Sequence, residues 1–488
     1  MQNRPVDERC SEIERETDGA GPVRRWSRRL LGGAPLFALM LAGCQSYSAR
    51  PLDPAAHRNA WHARTLEDGS LRAFLGRLAL DVGQPAVELD TTDGLSLEEG
   101  RLVALAFNPG LRLERMRIGR ATVAVEHAGR WADPKFSFTV TRLTGGGTDP
   151  WIVSPGLTFS IPLSGRMGVE RELANAQQVA AEGSVLEAEW SVWHEVEQAW
   201  IAWSDARLRV LETERLIDAM QGLNQTAPQL VQRGELLRTE AALFTLERAQ
   251  RENQLQRLRG ELDATEQELR GLMGLAPAAP VQLIPSMAVV STLPDGLASG
   301  SEMIEAFNPR LERMRREYDV SEETLRHEIK KQYPDLRIGP QFESDEGQSR
   351  IGFLGGFPVP FLNANRRAIA KARVDREIAR VALETEYELL VGRWSVAKTR
   401  ALALSGQRQD MEQVLVPLAD AQLEDTIALM RLGEGDGLAT LESLVRTHQI
   451  KLDLIEARAS EALARAESTY LIGPATAAWP FEAENPNP

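Results

Sequence analysis

The sequence predicts a mainly α-helical chain built twice over, in which long antiparallel helical hairpins carry two short β-hairpins. Three observations predict it. The word Ala106-Phe107-Asn108-Pro109 returns as Ala306-Phe307-Asn308-Pro309, an offset of 200 residues. Two stretches, beginning near Lys135 and Asp335, alternate apolar and polar side chains with the period of two that marks strands. Two others, Gly165 to Leu230 and Asn365 to Leu432, are rich in Ala, Glu, Leu, Gln and Arg and hold one proline each, Pro228 and Pro417.

Further landmarks keep the repeat. Asp133-Pro134 is answered by Tyr333-Pro334, Leu113–Arg117 by Leu311–Arg315, and Gly234 and Gly274 by Gly433 and Gly473. The period is too long for a solenoid unit, so each copy is domain-sized. Asn-Pro itself reads as a bend near a helix start, useful as a ruler and without chemistry of its own.

Composition narrows the function. The chain has 488 residues and a net charge of −14, with no basic patch beyond the N-terminus, which argues against nucleic acid as a partner. Its two cysteines, Cys10 and Cys44, build neither a disulfide framework nor a thiolate cluster. The six histidines are scattered. No nucleophile with a base and no phosphate loop is evident, so the chain reads as no enzyme. No apolar run reaches the roughly 18 residues of a membrane helix, so any span is made by strands.

Residues 1–43 read as a signal segment. Arg24-Arg25-Trp26-Ser27-Arg28-Arg29 precedes an apolar run from Leu30 to Leu41. The run ends in Leu41-Ala42-Gly43-Cys44, which resembles a bacterial lipobox and implies a covalent lipid on Cys44 and no other cofactor. A polar arm, 44–95, includes an amphipathic piece from Ser70 to Leu80.

Repeat 1 covers 96–276. Ser96 suits a helix cap with Glu98 and Glu99 in the first turn. A short helix, the Asn108-Pro109 bend and a longer helix follow, then a β-hairpin over 134–162. In its first strand Phe136, Phe138 and Val140 alternate with Lys135, Ser137, Thr139 and Thr141, and Gly145-Gly146-Gly147 makes the turn. The helical hairpin over 163–275 spans about 65 residues in its first arm, roughly 100 Å at 1.5 Å per residue, and a helix so long must pair with another. Trp190, Trp193, Trp200 and Trp203 recur at spacings of three and seven, most simply a buried seam. A Pro- and Gly-bearing linker, 277–300, leads to repeat 2 over 301–473, with its β-hairpin at 334–360 and helical hairpin at 361–472. The tail is 474–488.

With these residues in view, the sequence resembles the TolC family of bacterial outer-membrane efflux channels, in its lipidated branch. The carriers are the doubled Asn-Pro-x-Leu openings, the strand hairpins, and Ile161-Pro162-Leu163-Ser164-Gly165-Arg166, with Val359-Pro360-Phe361-Leu362-Asn363-Ala364-Asn365-Arg366 as the looser counterpart. The similarity runs from about Cys44 to Gly473. The tip reads Met430-Arg431-Leu432-Gly433, with methionine where the family has tyrosine, and Gly435 and Gly437 are extra.

The resemblance implies a homotrimer whose copies pool twelve strands in one outer-membrane barrel, with the helices forming an α-barrel through the periplasm. Lys135, Ser137, Thr139, Arg337 and Gln341 then face the lumen, and Phe136, Phe138, Leu336 and Ile338 face lipid. It implies a periplasmic membrane-fusion adaptor docked at the tips (Arg233, Gly234, Glu235, Leu432, Gly433, Glu434) and an inner-membrane pump supplying energy. Asp436, Glu442 and Glu240 take the position of acidic residues that narrow the pore and favour cations; as helix-end charges they would instead answer the dipole. The expected cargo is small molecules such as drugs or metal ions. A duct for type I protein secretion and a lipid-anchored coiled-coil adaptor remain as alternatives.

Overall fold

The computed structural model describes residues 47–82, 94–142, 144, 151–234, 236–287, 297–345, 348–432 and 434–474. The signal segment with Cys44, the glycine turn, the tip residues Glu235 and Gly433, residues 288–296 of the linker and the tail from 475 lie outside them. Two compact units divide between His57 and Arg58. In the first, the described residues are exposed and run into helix α1 (Pro54–His62). Its Pro54 sits where a missing N–H costs nothing, and the Asp53 carboxylate accepts the Ala56 amide at 2.9 Å.

The second unit holds the rest. Helix α2 (Gly69–Val82) sinks Leu71 and Leu75 into the largest core. Helix α3 (Leu97–Phe107) opens with the expected cap: Ser96 Oγ accepts the Glu99 amide, and Glu99 Oε2 accepts the Ser96 amide at 2.9 Å. Helix α4 (Pro109–His127) follows, then strands β1 (Lys135–Arg142) and β2 (Trp151–Pro162) and helices α5 (Arg166–Arg233) and α6 (Arg238–Leu272). The second copy repeats this order: α7 (Leu297–Phe307), α8 (Pro309–Lys330), β3 (Asp335–Asp345), β4 (Gln348–Gly356), α9 (Arg366–Asp410), α10 (Val416–Arg431) and α11 (Gly437–Ile472).

One expected helix is divided. The stretch over 365–432 is interrupted by a π turn at Met411–Leu415. Pro417 lacks the N–H that the helix ladder needs, and its ring crowds the carbonyl four residues back; widening the preceding turn relieves both. By contrast Pro228 stays inside α5, close to its end, and α5 runs unbroken for 68 residues, about 100 Å.

Helix α5 is the axis of the packing. It touches α4, α6, α8 and α11, while α9 packs on α8 and α11. The tryptophans form the expected seam: Trp190, Trp200 and Trp203 are 7%, 0% and 4% exposed. Trp200 lies against Gly100, where a β-carbon would come within 2.5 Å of the ring. The second copy repeats the fit with Trp394 against Gly300, at 2.0 Å. Trp394 escaped the sequence pattern because α9 carries no other tryptophan.

The tetrapeptide is more than a ruler, which corrects the reading of a plain bend. Asn108 and Asn308 are 8% and 4% exposed. The Asn108 oxygen accepts the amides of Gly110 and Leu111, capping α4, while its Nδ2 donates to the Leu272 carbonyl at 2.9 Å. Asn308 does the same at α8 and Leu471. Beside each, Gly274 (φ 67°) and Gly473 (φ 98°) turn the chain where a β-carbon would strike the carbonyl of Phe107 or Phe307. The linker is bound over its first half: Leu95 and Leu283 form a parallel bridge, and the Trp200 indole donates to the Ile284 carbonyl at 3.0 Å.

Candidate channel wall and membrane-facing sheet

The four strands make one antiparallel sheet in the order β1-β2-β3-β4. Register decides which side chains share a face, because directly opposed residues project to the same side. Phe136 faces Leu157, Val140 faces Val153, Phe159 faces Ile338, Ile161 faces Leu336, Phe342 faces Ile351 and Pro340 faces Phe353. On the other side Ser137, Gly156, Gln341 and Gly352 stand in one row, and Lys135 pairs with Thr158 and Arg337 with Ser160. The alternation of each strand therefore adds up across the sheet. One face is predominantly apolar, with Arg142, Ser344 and Ser349 only toward the end away from the helix junctions, and the other is predominantly polar.

The apolar face is bare. Phe136 and Phe138 are each 62% exposed, Ile351 86% and Phe353 72%. A sheet in water needs a covering layer on such a face. Aromatics stand at both ends of the sheet: Trp151, against which the Arg142 guanidinium lies 5.5 Å from the ring, and Trp131, Tyr333 and Phe361 near the helix junctions. This girdled pattern suits a membrane. Strands β1 and β3 leave α4 and α8, and β2 and β4 return to α5 and α9, so all four helix junctions lie at one end of the sheet. The strand ends Arg142, Trp151, Asp345 and Gln348 lie at the other.

Among the described residues the sheet has two open edges, β1 and β4. Among the described residues the helical wall below it likewise ends in two unpartnered margins. At one, Leu113 and Met116 of α4 and Leu246 of α6 are 58%, 72% and 56% exposed. At the other, Val374, Ile378 and Val396 of α9 are 59%, 60% and 60% exposed, on helical spacing.

Buried ion pairs tie the wall together. Arg115 Nη2 meets Glu189 at 2.6 Å, and Arg101 meets Glu197 at 2.7 Å. Arg313, the counterpart of Arg115 in the second copy, crosses to Glu187 of α5, so both copies clamp the same helix. Burial pushes the Glu189 carboxyl above its ordinary value, while Arg115 pulls it down. His194 stacks on Tyr470 with ring centroids 4.3 Å apart, and its Nε2 lies 3.1 Å from Glu467. Only the repeated Leu-Glu-Arg-Met-Arg word hinted at these clamps.

At the tips the first hairpin is bound to the second. Leu236, 6% exposed, packs with Phe244, Met220 and Leu441. Glu240 accepts the Leu237 amide at 2.8 Å and Asp436 accepts the Leu438 amide at 2.9 Å, each at the start of a helix. Glu442 is exposed on α11, and Arg233, Gly234, Leu432 and Glu434 are exposed at the turns. Gly435 is required by a close approach, since a β-carbon would meet the Met430 nitrogen at 2.5 Å. Among the described residues no helix is long and apolar enough to cross a membrane.

A bare apolar sheet, mounted at one end of long helical hairpins in two copies, is the fold of outer-membrane channel proteins. The chain is similar to the outer-membrane channel OprN, at 14% identity over 88% of this chain and 97% of that one, with a TM-score of 0.66. It is similar to CusC, whose crystal structures concern folding and transmembrane channel formation, at 14% identity over 77% of this chain and 92% of that one, with a TM-score of 0.66. The CmeC outer membrane channel of Campylobacter jejuni matches at 14% identity over 80% and 91%, TM-score 0.64. At that identity the likeness is one of fold. No family model and no curated protein matches the sequence.

Proposed function

We propose that this chain is one protomer of a trimeric outer-membrane channel that serves as the exit duct of a tripartite efflux system for small molecules. The observation that carries the reading is the four-stranded sheet with one bare apolar face and two open edges. Four strands cannot close a barrel, for which about eight is the practical minimum. An open edge in lipid leaves backbone groups without partners. Further copies, each joining its β4 to the β1 of the next, remove both edges. Twelve strands from three copies is the closure that the resemblance supports.

The apolar face then meets lipid and the polar face lines the lumen. The margins of the helical wall close in the same head-to-tail sense, with the α9 stripe of one copy on the α4 and α6 margin of the next. A lipid on Cys44 would anchor the arm in the outer membrane. The periplasmic adaptor would dock at the tips around Arg233, Gly234, Glu235, Leu432, Gly433 and Glu434, linking the duct to an inner-membrane pump. Glu442 is the best candidate for a pore-narrowing charge, because Glu240 and Asp436 also serve helix starts.

The test is purification from outer membranes followed by planar-bilayer recording, with a deletion strain profiled for resistance to drugs, metals and solvents. A stable trimer that conducts ions and a strain with raised drug or metal sensitivity are expected. A conductance-free monomer would remove the channel reading.

A further inference from the structure

We infer that Lys135 and Arg337 form a belt of positive charge in the β-section of the lumen, which concentrates small anions in that section. The inference rests on the channel reading above. It is unexpected in a chain whose net charge is −14.

The charged residues on the polar face, among the described side chains, are Lys135, Asp335, Arg337, Glu343 and Arg350. Glu343 and Arg350 carry opposite charges on one rung and lie toward the far end of the sheet, away from the helix junctions. Asp335 is met by Arg166 Nη2 at 3.5 Å, a guanidinium that also meets Glu170 at 3.3 Å, so its charge is answered in part from α5. Lys135 and Arg337 remain. Both are exposed, and neither has an ion-pair partner among the described residues. Their neighbours are small. Lys135 is opposite Thr158, and Arg337 lies between Ser160 and Gly356, so no large side chain covers either head.

Placement turns two charges into a belt. Lys135 stands at the start of β1 and Arg337 near the start of β3, in neighbouring rows at the helix end of the sheet. Each copy thus carries one cation at nearly the same height, although the two are not repeat equivalents, since the offset of 200 carries Lys135 to Asp335. Strands β1 and β3 are two apart, about 10 Å at the usual strand spacing. In a ring of three chains the cations would recur on every second strand. That separation is roughly one Debye length at physiological ionic strength, so neighbouring potentials overlap. Rings of Lys and Arg are how pores select anions. The tip carries the opposite sign at the other end of the duct: Glu240 and Asp436 sit at helix N-termini, where the dipole offsets part of their charge, while Glu442 is exposed, so the belt acts on the β-section and not on the tip.

The experiment uses the full chain in planar bilayers under a KCl gradient. Wild type and the double variant Lys135→Gln with Arg337→Gln are compared by reversal potential. The variant is expected to lose roughly threefold in anion-to-cation permeability, as removal of a charged ring should. Inorganic tripolyphosphate added on the hairpin-turn side should block wild type and spare the double variant. The charge-keeping exchange Lys135→Arg with Arg337→Lys should retain both properties. Channels of normal conductance whose reversal potential and block do not change overturn the belt alone. Failure of the wild type to form any channel overturns the reading beneath it.

Discussion

The side chain of Asn308 joins the two ends of a repeat: its Oδ1 accepts the Leu311 amide at 3.1 Å, and its Nδ2 donates at 2.7 Å to the carbonyl of Leu471, 163 residues further on. One carboxamide satisfies an orphan donor at a helix start and an orphan acceptor at a helix end. Asn108 does the same with Leu272.

Both halves of that bond can be separated. Asn308→Ala loses cap and donor and should cost about 2 kcal/mol, summing a cap and a buried hydrogen bond. Asn308→Asp keeps the cap yet turns an acceptor toward the Leu471 carbonyl, so it should be no more stable than alanine. Urea midpoints measure both. An aspartate variant as stable as wild type would show that the donor to Leu471 contributes nothing.

Gly300→Ala should destabilise by about 1–3 kcal/mol, the usual range for overpacking. Its β-carbon would fall 2.0 Å from the Trp394 ring, which is fully buried. Adding Trp394→Leu should recover part of the loss in thermal unfolding, since it removes the clashing atoms. Equal losses in the single and double variants would exclude the clash as the cause.

Glu189 tests a buried charge. Burial raises its carboxyl above the ordinary value of 4.5, so its ionised form costs stability and the cost grows as pH rises through that window. Arg115 offsets the cost. Arg115→Met should therefore destabilise at pH 7 by about 2–3 kcal/mol, discounted from a fully buried pair because Arg115 is partly exposed, and by less near pH 5. Combining it with Glu189→Gln should restore most of the loss. A penalty independent of pH would refute the assignment.

Glu461 titrates in the other sense. Burial alone would raise it, but hydrogen bonds from Arg408 and Arg465 outweigh burial and hold the carboxyl below its ordinary 4.5. Its contribution is present above that value and lost as pH falls through the lower, folded-state value. Glu461→Gln should thus narrow the stability gap between neutral and acidic pH in urea titrations. A variant with the wild-type acid dependence would assign that dependence elsewhere.

The wall margins give a prediction about assembly. Ile378→Glu on α9 or Met116→Glu on α4 should shift the protein toward monomer in size-exclusion chromatography, because each places a carboxylate in an apolar seam. Pairing Ile378→Glu with Met116→Lys should restore part of the assembly only where the two stripes meet. Undiminished assembly in both single variants would move the interface elsewhere.

Much of the fold was legible because its signals are local. The period-two alternation of Phe136, Phe138 and Val140 needs only the pleat, and the proline-poor runs need only helix propensity. The repeat needs only comparison of the chain with itself. Three features were not legible from such signals. The π turn before Pro417 and the unbroken passage of α5 past Pro228, close to its end, involve the same residue type with different outcomes. Trp394 looked unremarkable because its partner is Gly300, an absent side chain in another helix. The clamp of Arg313 on Glu187 crosses between the copies, and no spacing encodes that.

The sequence by itself determined the helix-strand-helix order, its duplication, and the amphipathic character of each strand, since these follow from periodicity along the chain. Only the tertiary structure decided that β1 to β4 align in one sheet with a single apolar face, that Asn108 and Asn308 tie helix starts to helix ends, and that α5 serves both copies. Those depend on register and on contacts more than a hundred residues apart, where the free energy lies in the meeting of two surfaces and neither segment carries it alone.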